Sequence, residues 1–156
     1  MRTILIQVSL ILTVAAVAAF GADNTLGTWK LNVAKSKSTP EPMPFKSLNV
    51  IKEASDGGVK QTTTGERVDG TASNTSYTAK YDGKDVSVTG NPAWDTIAIK
   101  QVNANTLTDE RKKTGGSYKA TARAVVSNGG KTMTTTIKGT NSNGKEFTQV
   151  FVFDKQ

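Results

Sequence analysis

The sequence contains neither cysteine nor histidine. Without cysteine the chain forms no disulfide, carries no lipid-modified N-terminal cysteine and has no thiol chemistry. Without histidine it lacks the side chain that most often acts as a general base near neutral pH. No metal-ligand cluster and no nucleophile–base arrangement is visible among the remaining residues. We therefore predict a protein that is not an enzyme, with no catalytic residue, no metal and no cofactor.

Two pairs of carboxylates remain to be considered as acid–base groups. Asp82 and Asp85 flank the turn of "YDGKD", and Asp109 and Glu110 are adjacent in one predicted strand. Acid–base catalysis needs carboxyl groups that converge on a pocket. One pair brackets a hairpin tip and the other alternates across a strand, so neither arrangement predicts catalysis.

The N-terminus has the features of a secretory signal peptide. Arg2 supplies a basic start, residues 4–19 are mostly apolar, and small residues follow as far as Ala22. The alternative is an uncleaved membrane anchor, because an apolar run of this length can span a bilayer. We predict a signal peptide over residues 1–22 and one domain over residues 23–156, with no stable membrane insertion after cleavage. An exported chain without cysteine is typical of a bacterial protein, either periplasmic or secreted.

The formal net charge of +7 favours anionic partners. The run Arg111–Lys113 is partly neutralised by the acidic pair that precedes it, and other lysines alternate with apolar residues, as on a solvated sheet face. These dispersed lysines are Lys30, Lys52, Lys60, Lys80, Lys100, Lys119 and Lys138. An exported chain without an aromatic-basic motif predicts no nucleic-acid binding. The predicted partner is a small apolar or anionic amphiphilic ligand; the oligomeric state stays open.

Turn signals recur at near-constant spacing and divide the chain into hairpins. Asn-Gly and Asp-Gly pairs supply the positive φ of tight turns, and residues suited to strands lie between them. The proline-rich segment 35–44 predicts an extended loop. We predict an all-β fold: a single antiparallel up-and-down β-barrel of about 8–10 strands, without substantial helix. The predicted strands are 26–33, 47–54, 58–66, 74–81, 84–89, 95–102, 105–113, 117–126, 131–139 and 146–154.

Alternation along these strands predicts which side chains point inward. Three successive small side chains in "YKATARAVV" suggest an interior cavity, unless aromatic side chains fill that volume from across the barrel. The tyrosines either orient the polar end of a ligand or are core and rim residues. Arg123 either reaches solvent or turns to stack on an aromatic ring. The candidate lumen residues are Trp29, Tyr77, Tyr81, Ile97, Ile99, Tyr118, Ala120, Ala122, Ala124 and Met133.

Gly27-Thr28-Trp29, at the start of the first strand, resembles the N-terminal signature of the calycin superfamily. That group includes lipocalins, fatty-acid-binding proteins and avidin-like barrels. "GTWKL" and the final "FTQVFVFDK" are similar to the first and last strands of fatty-acid-binding proteins. The resemblance implies that Trp29 closes one end of the barrel, with Arg123 or Lys155 packed on it. The chain also resembles an uncharacterised family of small exported bacterial lipocalin-like proteins.

Two departures separate this chain from fatty-acid-binding proteins. Those proteins insert two helices after the first strand, where this chain has only a short proline-rich connection. They also hold the ligand carboxylate with arginine and tyrosine side chains, and the sequence does not assign such a set here. The leading prediction is a non-enzymatic protein that carries or sequesters a small, largely apolar ligand. The alternative is a protein-interaction module, such as a protease inhibitor or envelope component, with a fully packed barrel and a contact loop at residues 38–44.

Overall fold

The computed structural model describes residues 22–156. The predicted signal peptide lies outside them, apart from Ala22. A 3-10 turn at Val33–Lys35 is the one helical element in the described range. The strands are β1 (Gly27–Leu31), β2 (Lys37–Thr39), β3 (Phe45–Ser55), β4 (Gly58–Arg67), β5 (Ala72–Lys80), β6 (Val86–Ser87), β7 (Thr96–Asn103), β8 (Thr106–Lys112), β9 (Lys119–Ser127), β10 (Thr132–Thr140) and β11 (Glu146–Lys155).

The strands form one antiparallel sheet that curls into a nearly closed barrel. Their order in the sheet is β5-β4-β3-β1-β11-β10-β9-β8-β7-β6. The two ends of the sheet meet where Ser76 and Thr89 exchange backbone hydrogen bonds of 3.0 and 2.9 Å. This single bridge joins β5 to the segment that follows β6 and satisfies backbone groups that a free sheet edge would expose. The predicted all-β fold, a single antiparallel barrel without substantial helix, is confirmed within the described residues. Within residues 22–156, no helix has the length and hydropathy needed to cross a membrane.

Alternation along the strands separates the core from the surface, as the sequence pattern predicted. In β5 every second residue is buried, and β9 follows the same rule along most of its length. At the turns, Gly83 and Gly144 have φ values of +73° and +75°, a conformation that side-chain-bearing residues rarely adopt. The Asp-Gly and Asn-Gly pairs thus fix where one strand ends and the next begins.

The connection between β1 and β3 is more ordered than the sequence predicted. Residues 37–39 form β2, which pairs with Thr148–Val150 of β11. β1 pairs with the other end of β11, from Phe153 to Lys155, so β2 continues the line of β1 after the 3-10 turn. Residues 37–39 precede the prolines and keep their backbone donors, which is why they can pair.

The predicted strand 84–89 is much shorter in the structure. Only Val86 and Ser87 pair with β7, at Ile97 and Thr96. Thr89 has already crossed to β5, and Gly90 follows against the carbonyl of Asn74, where a Cβ would lie 2.1 Å from that oxygen. The segment therefore pairs first with β7 and then, two residues later, with β5, which closes the barrel.

Candidate functional site: the barrel lumen

The barrel encloses a cavity of about 470 Å³. Its walls are partly apolar, with Leu48, Val50, Ile99, Phe151 and Phe153 among the lining residues. The end nearest the loops is lined by the proline-rich segment, Phe45, Trp94 and Phe147. Ligand pockets in proteins are typically about 300–1,000 Å³ and mostly apolar with a few polar groups. The lumen therefore has the size and composition of a small-molecule site.

The opposite end of the barrel is closed by Trp29 and the segment before it. The Trp29 indole N–H donates to the carbonyl of Thr25 at 2.8 Å, and both residues are fully buried. The Thr25 backbone N–H and hydroxyl donate to Asp23 at 2.9 and 2.6 Å, and the Tyr81 hydroxyl donates to the same carboxylate. Burial, followed by this bond to Asp23, raises the pKa of Tyr81. Asp23 therefore links the segment that precedes β1 to Tyr81, which directly follows β5.

A charged pair lies in the lumen wall on β8. Arg111 donates from Nε and Nη2 to the two carboxylate oxygens of Asp109, at 2.7 and 3.0 Å. Their side chains are only 16% and 13% exposed, and the guanidinium carbon lies 5.1 Å from the ring centre of Trp94. Burial alone would lower the pKa of Arg111, but the Asp109 charge outweighs it and raises that pKa. Arg111 is therefore a permanent cation whose guanidinium is positioned by the Asp109 carboxylate and the Trp94 indole.

A second polar group crosses β3, β4 and β5. Lys52 pairs with Gln61, and Gln61 pairs with Tyr77, so the three inward side chains form one row. Burial lowers the pKa of Lys52 to about 8, although Asp23 and Asp109 act in the opposite direction. Burial also raises the pKa of Tyr77, which keeps its hydroxyl neutral. Among the described residues, Lys52 takes part in no hydrogen bond or ion pair through its ammonium group.

The alanines of β9 lie beside the charged pair. Arg111 pairs with Ala120, Asp109 with Ala122, and Leu107 with Ala124. Side chains on the same face of adjacent strands approach within about 5 Å at Cβ, so larger residues here would crowd the ion pair. Ala124 lines the cavity, whereas Ala120 and Ala122 are buried without lining it. Ala120 and Ala122 therefore leave space for the ion pair, and Ala124 leaves space for the lumen.

The structure brings some of the predicted lumen residues to the cavity surface and leaves others in the surrounding core. Those that line the cavity are Tyr77, Ile99, Tyr118, Ala124 and Met133. Trp29 and Ile97 are fully buried elsewhere in the core, and Tyr81 lies at the closed end. The ring of Tyr118 packs against Phe147 with a centroid distance of 5.8 Å, and burial raises its pKa.

Arg123 does not lie on Trp29. It is exposed on the outer face of β9, whereas Lys155 Nζ lies 5.0 Å from the centre of the Trp29 ring. Strict alternation from the inward alanines puts Arg123 outside, and no bulge in β9 reverses it. The structure thus corrects the pairing of Trp29 with Arg123 and assigns the cation to Lys155.

Sequence reasoning missed the charged residues of the lumen. The prediction of a solvated face for Lys52 is wrong, because the exposure of this residue is 7%. The sequence predicts only that the run Arg111–Lys113 is partly neutralised by the preceding acidic pair; in the structure Asp109 and Arg111 pair with each other and both face inward. The alternation along β3 did contain a signal. Residues two apart in a strand lie on the same face, so Lys52 lies on the face of Leu48 and Val50, which are buried.

No protein-family model matches the chain, and no curated protein matches it in sequence. Among solved structures, the barrel is similar to the solution structure of lipocalin 12 from rat epididymis, with a TM-score of 0.51 and 15% sequence identity. The alignment covers 85% of this chain and 66% of that chain, so the present chain spans just under two thirds of the length of the lipocalin. At this identity the similarity concerns the fold. The chain therefore has a lipocalin-like fold, whose lumen holds the buried charges described above.

Proposed function

We propose that this protein binds a small amphiphilic molecule with an anionic head inside the barrel, and that it carries or sequesters that molecule without transforming it. The observation that carries the proposal is the charge of the lumen. The residues that line the lumen carry three positive charges, on Lys52, Arg67 and Arg111, and two negative charges, on Glu41 and Asp109. A partly apolar cavity inside the barrel, with one excess positive charge, favours an anion, because the low dielectric of the surrounding protein strengthens the attraction.

Arg111 is arranged to bind such a head. Its Nε and one Nη2 hydrogen are directed at Asp109, so further guanidinium hydrogens are available to an acceptor in the lumen. The Trp94 ring on one side and the carboxylate at the edge fix the guanidinium plane before a ligand arrives. A preorganised donor loses little conformational entropy on binding.

The apolar part of the ligand fits the open end of the lumen. Phe45 and Phe147 line that end together with prolines 40, 42 and 44, whereas the polar row of Lys52 and Tyr77 lies further along the strands. The aromatic and proline side chains at this end can cover the hydrocarbon of a ligand whose head contacts Arg111 and Lys52. The alternative of a protein-interaction module required a fully packed barrel, and the cavity does not favour it.

We also propose that the protein is exported, with residues 1–22 as a cleaved signal peptide, and that it acts in the periplasm or outside the cell. The basic start, the apolar run and the small residues before Asp23 support this. N-terminal sequencing of protein recovered from its native host tests it: a mature chain that begins near Ala22 or Asp23 is expected. Recovery of the intact N-terminus from the membrane fraction would favour the anchor instead.

Dodecanoate and dodecan-1-ol test the proposed head group, because they share one hydrocarbon and differ in charge. Titration calorimetry of the purified protein should show that dodecanoate binds about tenfold tighter or more, the range expected for a charge-assisted hydrogen bond. Tryptophan fluorescence should also report the binding of dodecanoate, because Trp94 lies against Arg111. The Trp94→Phe variant assigns the fluorescence change to that residue rather than to Trp29.

Lys52→Met should reduce the preference for the acid over the alcohol. Its matched control is Lys100→Met, because Lys100 is exposed on the outer face and should leave the preference unchanged. Equal affinity for the two compounds would overturn the anionic head while keeping a binding barrel. Failure of both compounds to bind would overturn the carrier function itself.

A further inference from the structure

Lys52 places a primary amine in the lumen, and within residues 22–156 its charge has no ion-pair partner. The side chain lines the lumen, its residue exposure is 7%, and no carboxylate in the described chain lies within ion-pair distance of Nζ. The charges that act on it from the surrounding elements are Asp23 before β1 and Asp109 and Arg111 on β8. A structural lysine would normally be paired or would extend its head to solvent. Lys52 does neither.

We propose that Lys52 captures apolar aldehydes covalently, as a reversible imine formed inside the lumen. The inference rests on the proposed function only in that the cavity must admit a hydrocarbon chain. It concerns a different class of ligand, one with a carbonyl carbon in place of an anionic head. The site consists of the Lys52 amine, with Gln61 and Tyr77 beside it in the same row of the sheet.

The reaction needs no oxidant, reductant or metal. The lone pair of neutral Lys52 Nζ attacks the carbonyl carbon, the C–N bond forms, and a proton moves from nitrogen to oxygen to give a carbinolamine. Loss of the hydroxyl group together with the second amine proton then releases one water and leaves a C=N bond. Addition of water reverses both steps and returns the aldehyde unchanged, so the protein stores the aldehyde without consuming it.

Three features of the lumen favour the imine at this lysine. Burial lowers the pKa of Lys52 to about 8, so neutral amine is present at physiological pH. A neutral imine also removes the buried positive charge, which relieves the cost of its desolvation. The partly apolar wall holds the aldehyde chain near the amine, which raises its effective concentration above that at a surface lysine.

Trapping with cyanoborohydride tests the proposal. The purified protein is incubated with a small excess of dodecanal, the imine is reduced to a stable secondary amine by hydride from the reagent, and the product is analysed by intact mass and peptide mapping. We expect one dodecyl group per chain, located on Lys52, at a rate at least tenfold above that of any other lysine. Excess dodecan-1-ol should suppress the labelling, because it competes for the same lumen.

The Lys52→Met variant should lose the adduct, and Lys100→Met should keep it, since Lys100 is exposed on the outer face. If Lys52→Met does not fold, peptide mapping of the unsubstituted protein and the suppression by dodecan-1-ol still locate the reaction. Labelling spread over surface lysines and insensitive to dodecan-1-ol would overturn the proposal.

Native mass spectrometry with dodecan-1-ol separates this inference from the proposed function. Retention of the alcohol without a trapped Lys52 adduct would overturn the imine and leave the binding barrel intact. Retention of neither the alcohol nor the aldehyde would overturn both.

Discussion

Lys155 Nζ lies 5.0 Å from the centre of the Trp29 ring, and the same side chain passes Gly27 so closely that a Cβ there would lie 3.0 Å from Lys155 Cε. Gly27 has φ +121°, a conformation that L side chains rarely adopt. The two defining residues of the Gly-x-Trp motif are therefore explained by one contact. The glycine leaves space for the lysine that the tryptophan binds.

Gly27→Ala should destabilise the fold by more than about 1 kcal/mol, because the added methyl meets Lys155 and the backbone conformation is unfavourable for alanine. Urea denaturation followed by far-UV circular dichroism measures the change. Gly70→Ala is the matched control, since Gly70 also has a positive φ, of +86°, but nothing lies within 4 Å of its missing Cβ. An equal loss in both variants would show that the contact with Lys155 contributes nothing.

The fold could be predicted because its signals are local. Asp82-Gly83 and Asn143-Gly144 mark turns, and the alternation in "SYKATARAVV" fixes which face of β9 is buried. Each of these signals lies within about ten residues. A meander is built from hairpins between neighbouring strands, so such local signals are enough to predict it. The split pairing of 84–89 escaped prediction because it depends on closure against β5, a contact between distant parts of the barrel.

The charged part of the site could not be read in the same way. In β8, "TLTDERK", charged residues occupy both faces: Asp109 and Arg111 point inward, and Glu110 and Lys112 point outward. Leu107 is the one large apolar residue of this strand, so alternation of hydrophobicity gives only a weak signal for which charged face is buried. The small neighbours that make room for the pair, such as Ala122, are on another strand, so their relation to it is visible only once the register is known.

Asp109→Asn should destabilise the protein by about 3 kcal/mol or more, because it leaves the buried Arg111 cation without its counter-charge. Asp109→Asn combined with Arg111→Met should recover part of that loss, since the uncompensated charge is then removed as well. Urea denaturation of both single variants and the double variant measures the coupling. A double variant no more stable than Asp109→Asn would contradict the pairing seen in the lumen.

Folding stability should rise with pH at alkaline values through Lys52. Its pKa is lowered from 10.5 to about 8 by burial, so the unfolded chain holds a proton between these values that the folded chain has lost. Stability therefore increases across that window, by about 3 kcal/mol if the full shift is realised. The measurement compares the free energies of unfolding of the unsubstituted protein and of Lys52→Met at about pH 7 and about pH 10. The gap between the two proteins should change with pH; a constant gap would show that Lys52 is not desolvated.

Ala124→Phe should abolish dodecanoate uptake without unfolding the barrel. Ala124 lines the cavity and pairs with Leu107 and Thr135, so a phenyl ring there projects into the lumen, where existing free volume can accept it. Overpacking of this kind costs about 1–3 kcal/mol, which an otherwise intact barrel should tolerate. Calorimetry measures uptake, and thermal unfolding monitors the fold.

Thr121→Phe is the control for Ala124→Phe, because Thr121 is exposed on the outer face of the same strand. It adds a ring of the same size to β9 and leaves the lumen unchanged, so dodecanoate should bind it as it binds the unsubstituted protein. Loss of uptake in Ala124→Phe alone places the hydrocarbon inside the barrel. Uptake that survives in Ala124→Phe, or is lost equally in both variants, would mean that the ligand binds elsewhere on the protein.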